Sequence, residues 1–245
     1  IGNFIKGLNK LDPQTGVFYR YYHDPDDINN VSDPVNYKYT LADNVVRCIF
    51  EDKDGFIWVG CFHNGVSRFD PQAEVFVSFS HDPADPYSIG ANRVEAAMQD
   101  KQGRLWFATF GGGLNYYDPM KNKFYRYIND KQDITSISAD KNWCIYEDKT
   151  GIIWIGTSGG GVNSFNPNKK KFNVYQNIPG DAYSISNNAV QVFTKDKYNN
   201  IWVGTSDGLN LFCKEQKKFY AVKHNPSDPN TPIAPKIWSL SSGKS

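Results

Sequence analysis

Cysteine is scarce. Four residues in 245, Cys48, Cys61, Cys144 and Cys213, form no Cys-x-x-Cys pair and no metal-ligand spacing. That excludes a disulfide framework and a zinc site, and leaves free, partly buried thiols as the expectation, with no cofactor. No apolar run approaches the roughly 20 residues of a membrane span, so direct membrane insertion of this segment is not expected. Charge of one sign is missing too. Lys plus Arg is 27, Asp plus Glu is 26, and the net charge is +1, which gives no reason to expect nucleic acid as a partner. No basic-then-apolar leader opens the chain at Ile1. The abrupt start is what a piece of a longer protein would show, so it is silent on where the parent resides. Helical 3.6-residue periodicity is also lacking. What is abundant is aromatic residues and turn formers: 16 Phe, 15 Tyr and 6 Trp among 20 Gly and 13 Pro. This composition predicts short strands joined by tight turns.

The order behind that composition is a repeat. Trp58, Trp106, Trp154 and Trp202 are spaced by 48 residues. Asp52, Asp100, Asp148 and Asp196 keep the same step, as do Gly55, Gly103, Gly151 and Asn199, and Ile89, Ile137, Ile185 and Ile233. Independent columns in one register define an internal repeat. One unit reads as four strands, Val45–Phe50, Phe56–Phe62, Val66–Asp70 and Val75–Ser80, followed by a polar connection, His81–Asn92. Four antiparallel strands repeated without helices describe a blade of an all-β propeller. The aspartate is expected to open a tight turn and the glycine to supply a φ > 0 position, for which Asn199 is the next-best residue. The tryptophan is expected to pack between neighbouring blades.

Whole blades are expected at 41–80, 89–128, 137–176 and 185–223. Gly7–Pro13 matches Gly113–Pro119, so residues 1–23 read as the last strands of a split blade. Residues 233–240, with Lys236-Ile237-Trp238-Ser239-Leu240, align with the first strand of that blade. Five blades could close on themselves, but a fragment of a larger, seven-bladed propeller is the favoured expectation. The first connection carries about ten extra residues within Asp26–Tyr39, a surface insertion.

Ligand candidates follow from position in the repeat. Ends of second strands and starts of first strands share one face, the expected mouth of a central channel, and small-molecule sites favour such concave places. One column there holds Asn44, Asn92, Asp140 and Asn188; another holds Arg47, Glu95, Trp143 and Gln191. The second varies in chemistry from blade to blade, as recognition of an irregular polar ligand such as an oligosaccharide would require. The Asn column also suits strand-start capping. Arg93, Asn142, Phe62, His63 and Phe110 lie at the same end. His23, His81 and His224 occupy equivalent positions on different blades, too far apart to share a metal, and are expected in turns.

No catalytic residue is assigned. No Gly-x-Ser-x-Gly elbow is present, and Asp52 and Asp54 share one tight turn, poor geometry for two carboxylates flanking a glycosidic bond. A sialidase-like site would need an arginine cluster, whereas only Arg47 and Arg93 stand near the ligand face.

The segments Glu51-Asp52-Lys53-Asp54-Gly55-Phe56-Ile57-Trp58-Val59-Gly60 and Glu147–Thr157, followed by Gly159-Gly160-Gly161-Val162, resemble the two-component regulator propeller repeat. Ser184–Val190 resembles its opening. The resemblance implies the extracytoplasmic, periplasmic sensor region of a hybrid histidine kinase, recognising a glycan-derived signal. It implies further propeller blades and signalling domains in the parent chain, and a homodimer as a candidate assembly. No kinase or receiver segment lies within the 245 residues. The alternative is a structural or protein-binding scaffold without its own small-molecule ligand.

Overall fold

Each repeat turns on one carboxylate. Asp52 Oδ1 accepts the backbone amides of Asp54 and Phe56, each at 3.0 Å, which closes the turn between two strands. Its other oxygen accepts Trp58 Nε1 at 2.7 Å. The same tie joins Asp100 to Trp106 at 2.9 Å, Asp148 to Trp154 at 3.0 Å and Asp196 to Trp202 at 3.1 Å. The turn needs a left-handed residue three before the tryptophan. Gly55 and Gly103 have φ of 84°, Gly151 79° and Asn199 66°, so the asparagine stands where the backbone rule places it.

The computed structural model describes residues 2–3, 7–23, 40–169, 171–229, 231–232 and 235–240. Ile233 and the Asp26–Tyr39 insertion lie outside the described residues. The backbone divides into two units, Ile1–Arg126 and Tyr127–Ser245. Unit 1 opens with a three-stranded antiparallel sheet, β1 (Gly2–Asn3), β2 (Gly7–Leu11) and β3 (Phe18–Tyr21). Two four-stranded antiparallel blades follow: β4 (Val46–Glu51), β5 (Ile57–Cys61), β6 (Val66–Asp70) and β7 (Val75–Phe79); then β8 (Val94–Gln99), β9 (Leu105–Thr109), β10 (Leu114–Asp118) and β11 (Lys123–Tyr127). Unit 2 holds β12 (Asn142–Glu147), β13 (Ile153–Thr157), β14 (Val162–Asn166) and β15 (Lys171–Tyr175); then β16 (Val190–Lys195), β17 (Ile201–Thr205), β18 (Gly208–Cys213) and β19 (Lys218–Val222). The fold is an all-β propeller fold of four-stranded blades, and no helix occurs among the described residues.

Aromatic packing joins blades within each unit. Trp58 lies 5.3 Å from Phe107 and 5.5 Å from Tyr117 of the following blade, between ring centroids. In unit 2, Trp154 meets Phe212 at 4.9 Å. Ile89, Ile137 and Ile185 are fully buried, which explains their column.

Close approach of blades requires a small residue two positions after the tryptophan. A Cβ on Gly60 would overlap Cys48 Sγ and come within 2.9 Å of Val94 in the next blade. A Cβ on Gly156 would overlap Cys144 Sγ and lie 2.6 Å from Val190. At Gly204 the neighbour is Ile237, at 2.7 Å. Ile237 therefore fills the place that Val94 and Val190 hold elsewhere, and its amide donates to Thr205 O at 2.9 Å. Residues 235–240 thus dock where a next first strand begins, although they form no strand.

Candidate functional site

Every first strand of a whole blade carries a bulge at one position. β4 pairs Val46 with Cys61 and Cys48 with Gly60, leaving Arg47 over. β8 leaves Glu95, β12 leaves Trp143 and β16 leaves Gln191 in the same way. A bulge takes one residue out of the ladder and re-aims its side chain. The variable column of the sequence is therefore the bulge column. Tolerated variety there costs no strand pairing, because the bulged residue lies outside the ladder register.

In unit 1 this column is charged. Arg47 donates from Nε at 2.8 Å and from Nη2 at 2.7 Å to Glu95 Oε2, bridging adjacent blades. Arg93 Nε donates to Glu95 Oε1 at 2.5 Å. The Glu95 side chain is only 2% exposed, whereas those of Arg47 and Arg93 are 27% and 25% exposed. The Arg93 guanidinium packs on two rings, 4.4 Å from the Phe62 centroid and 4.1 Å from that of Phe110. The backbone explains this packing. Phe110 N donates to Arg93 O at 2.8 Å, so that ring stands beside Arg93 in its own blade, and Phe62 holds the equivalent place one blade earlier. His63 lies against Phe62 at 4.7 Å. Its backbone amide and Nδ1 both meet Asp43 Oδ2, at 2.7 and 2.9 Å.

In unit 2 the corresponding places are uncharged or singly basic. Trp143 is half-buried on its bulge. Gln191 Nε2 reaches Ser206 Oγ at 3.5 Å. Ser158 and Ser206 replace the two phenylalanines, their amides donating to Lys141 O and Ala189 O. Trp238 follows Ile237 as Gln191 follows Val190; it is 66% exposed, with Lys236 Nζ 3.6 Å from its ring centroid. An open groove of about 580 Å³ lies nearby in the chain, lined by residues including Asn177, Ser186, Asp207 and Lys223.

Three candidate residues leave the ligand set. Asn44 Oδ1 accepts His23 N at 2.8 Å and Asn92 Oδ1 accepts His81 N at 2.6 Å, with Asp140 and Asn188 making the same bond to Asn129 and Asn177. This column clasps the connection between blades. The histidines complete the clasp: Nδ1 of His23, His81 and His224 meets the carbonyls of Leu41, Ile89 and Pro232. Asn142 is fully buried, and neither amide atom has a hydrogen-bond partner. It takes the place of Val46, Val94 and Val190 at the foot of the bulge, where side chains point into the blade packing. What the sequence did not reveal was the bulge and the packing of Arg93 on two rings. Their only linear trace is the small residue at Gly60, Ala108, Gly156 and Gly204 that admits the close approach.

The thiols hold no chemistry at this end. Burial pushes the Cys48 thiol up to about 12 and raises Cys61 and Cys144 further, so none is a thiolate at neutral pH. Among the described residues no group of His, Cys, Asp and Glu is placed to hold a metal ion.

The sequence model of the two component regulator propeller matches residues 40–63, 88–111, 136–159 and 184–207. Each match runs from just before a first strand to the turn after the second, across the bulge and the tryptophan. The chain carries four repeats of the two-component regulator propeller family. Among solved structures it is similar to the extracellular domain assigned to hybrid two component system BT3049 of B. thetaiotaomicron, at 26% identity and a TM-score of 0.71, over 88% of this chain and 27% of that one. It is also similar to the extracellular domain assigned to the one component system BT4673 of B. thetaiotaomicron, at 18% identity and a TM-score of 0.64, over 90% of this chain and 28% of that one. Virginiamycin B lyase from Staphylococcus aureus shares the fold at 12% identity and a TM-score of 0.61, over 92% of this chain and 65% of that one. The chain thus spans about 27–28% of the two regulator structures. No curated protein matches it in sequence. The likeness to the lyase is one of fold alone.

Proposed function

We propose that this chain is a ligand-binding part of an extracytoplasmic sensor propeller, and that its signal is a glycan breakdown product. The observation that carries the proposal is the bulge column. The four blades of this chain repeat the Asp and Trp positions, and the left-handed turn position as Gly or Asn, and differ at the bulged residue: Arg47, Glu95, Trp143 and Gln191. Arginine, glutamine and aromatic rings are the groups that hydrogen-bond and stack on sugars. Extracellular placement of the BT3049 and BT4673 domains supports the compartment. Among the described residues no helix is long and apolar enough to cross a membrane. The module is proposed as non-catalytic, with further blades and signalling domains in the parent chain. Signalling then follows from a ligand that binds two arrangements of that parent with different affinity.

The test is thermal stability of the chain across a panel of plant, host and microbial oligosaccharides. A ligand of the native state raises the melting temperature by mass action. A shift with one glycan class is expected. Its loss in Arg47→Ala assigns the ligand to unit 1, and its loss in Trp143→Ala assigns it to unit 2. A cooperative melt that no glycan shifts would overturn the proposal in favour of a structural scaffold.

A further inference from the structure

Unit 1 holds an arrangement that specifies more than a polar ligand. Within the cluster two guanidinium groups face one carboxylate. Glu95 has both oxygens taken, Oε2 by Arg47 and Oε1 by Arg93, and its side chain is 98% withdrawn from solvent. The arginines are not withdrawn, each being about a quarter exposed. The buried partner is thus the anion, and the surface that remains is cationic. Asp43, a second carboxylate among the described residues, is engaged by the amide and ring of His63.

We propose that Arg47 and Arg93 together receive an oxyanion carried by the ligand, a carboxylate or a sulfate. The proposal deepens the glycan-sensor reading and rests on it for the saccharide part. Arg47 spends both of its bonds on a single oxygen of Glu95 and keeps further N–H donors in its planar fork. Such a fork matches a carboxylate or sulfate edge with paired, charge-assisted bonds. Arg93 is held by the Phe62 and Phe110 rings, with its guanidinium carbon 4.4 and 4.1 Å from their centroids, and by Glu95, while a quarter of its side chain stays exposed. Glu95 orders both side chains before any ligand arrives, so little rotamer entropy remains to be lost on binding. The equivalent residues of unit 2 are Lys141, Trp143, Ala189 and Gln191, which hold no carboxylate and no arginine. Among the four whole blades the arrangement is thus confined to one pair.

The test is calorimetric binding of the 245-residue chain to uronate- and sulfate-bearing disaccharides, to their neutral counterparts and to inorganic sulfate. An acidic disaccharide is expected to bind about tenfold or more tightly than its neutral counterpart, with the gap shrinking between about 20 mM and about 200 mM salt. Arg47→Gln is expected to erase the gap, and Arg47→Lys, which keeps the charge but not the fork, to lose part of it. Glu95→Gln removes the competing anion and is expected to widen it; a strut without a ligand would only be weakened. A melting curve for each variant separates loss of binding from loss of fold. Equal binding of acidic and neutral disaccharides, unchanged in Arg47→Gln, would overturn the anion site and leave the glycan reading standing. Inorganic sulfate bound as tightly as the sulfated sugar, and lost in Arg47→Gln, would keep the anion site and remove the saccharide. No binding of any probe would overturn the proposal outright.

Discussion

The two units are built on the same blade and differ at one end of it. Unit 1 fills the bulge and its surroundings with Arg47, Arg93, Glu95, Phe62 and Phe110; unit 2 fills the same places with Lys141, Trp143, Gln191, Ser158 and Ser206. The tie that makes the blade, aspartate to tryptophan Nε1, is the same in both, between 2.7 and 3.1 Å. The difference shows which part of the repeat is constrained. The turn and the tryptophan are bound by backbone geometry and burial in every blade, whereas the bulged residue ranges from the buried Glu95 to the partly exposed Arg47. Recognition can diverge at the bulge without cost to the blade.

That division of labour can be broken at the blade first. Trp58→Ala and Trp154→Ala each remove a ring buried among aromatic neighbours and are expected to cost about 3–5 kcal/mol. Urea unfolding with hydrogen exchange in each unit measures this; costs below about 1 kcal/mol would mean that the shared frame is not what holds the blades. The next effect is read by acid in unit 2. Burial alone raises the Asp148 carboxyl, but hydrogen bonds from Lys214, Thr150 and Trp154 outweigh it and hold the group at about 2. A folded pKa below the unfolded value of about 4 stabilises the native state above that value. The contribution, about 2 kcal/mol, is present at neutral pH and is lost as pH falls from about 4 towards 2. Lys214→Ala is expected to flatten that part of the stability profile, because Lys214 Nζ sits 2.7 Å from Asp148 Oδ2.

Smaller effects sharpen the comparison. Gly60→Ala and Gly156→Ala force a methyl against Cys48 with Val94, or Cys144 with Val190, and are expected to cost about 1–2 kcal/mol in either unit, read by thermal unfolding. Arg93→Ala is expected to cost about 1 kcal/mol through the lost ring contacts. Gln191→Ala, at the equivalent end of unit 2, is expected to stay within about 0.5 kcal/mol. Equal costs for those last two would erase the distinction drawn between the units.

Much of the fold was legible in the sequence. Strand limits predicted for the first blade, Val45–Phe50, Phe56–Phe62, Val66–Asp70 and Val75–Ser80, fall within one residue of those observed. The left-handed Asn199 and the inter-blade tryptophans were legible for the same reason, a period that repeats each constraint four times. The candidate site was legible only in part. Arg47, Glu95, Trp143 and Gln191 stood out by variability, but Asn44 and Asn92 belong to the connecting clasp and Asn142 to the interior.

The sequence by itself determined the strands of the blade and its turns, because the turns are set by backbone conformations and hydrogen bonds spanning six residues or fewer, as in the Asp52–Trp58 tie, and the period repeats them four times. Only the tertiary structure decided that Arg47 would share a carboxylate with Arg93 and that Arg93 would pack on two rings. Those contacts join residues as far as 48 positions apart. They exist because adjacent blades approach over glycine and because a bulge, a property of strand pairing and not of any one residue, turns the side chain towards its neighbour.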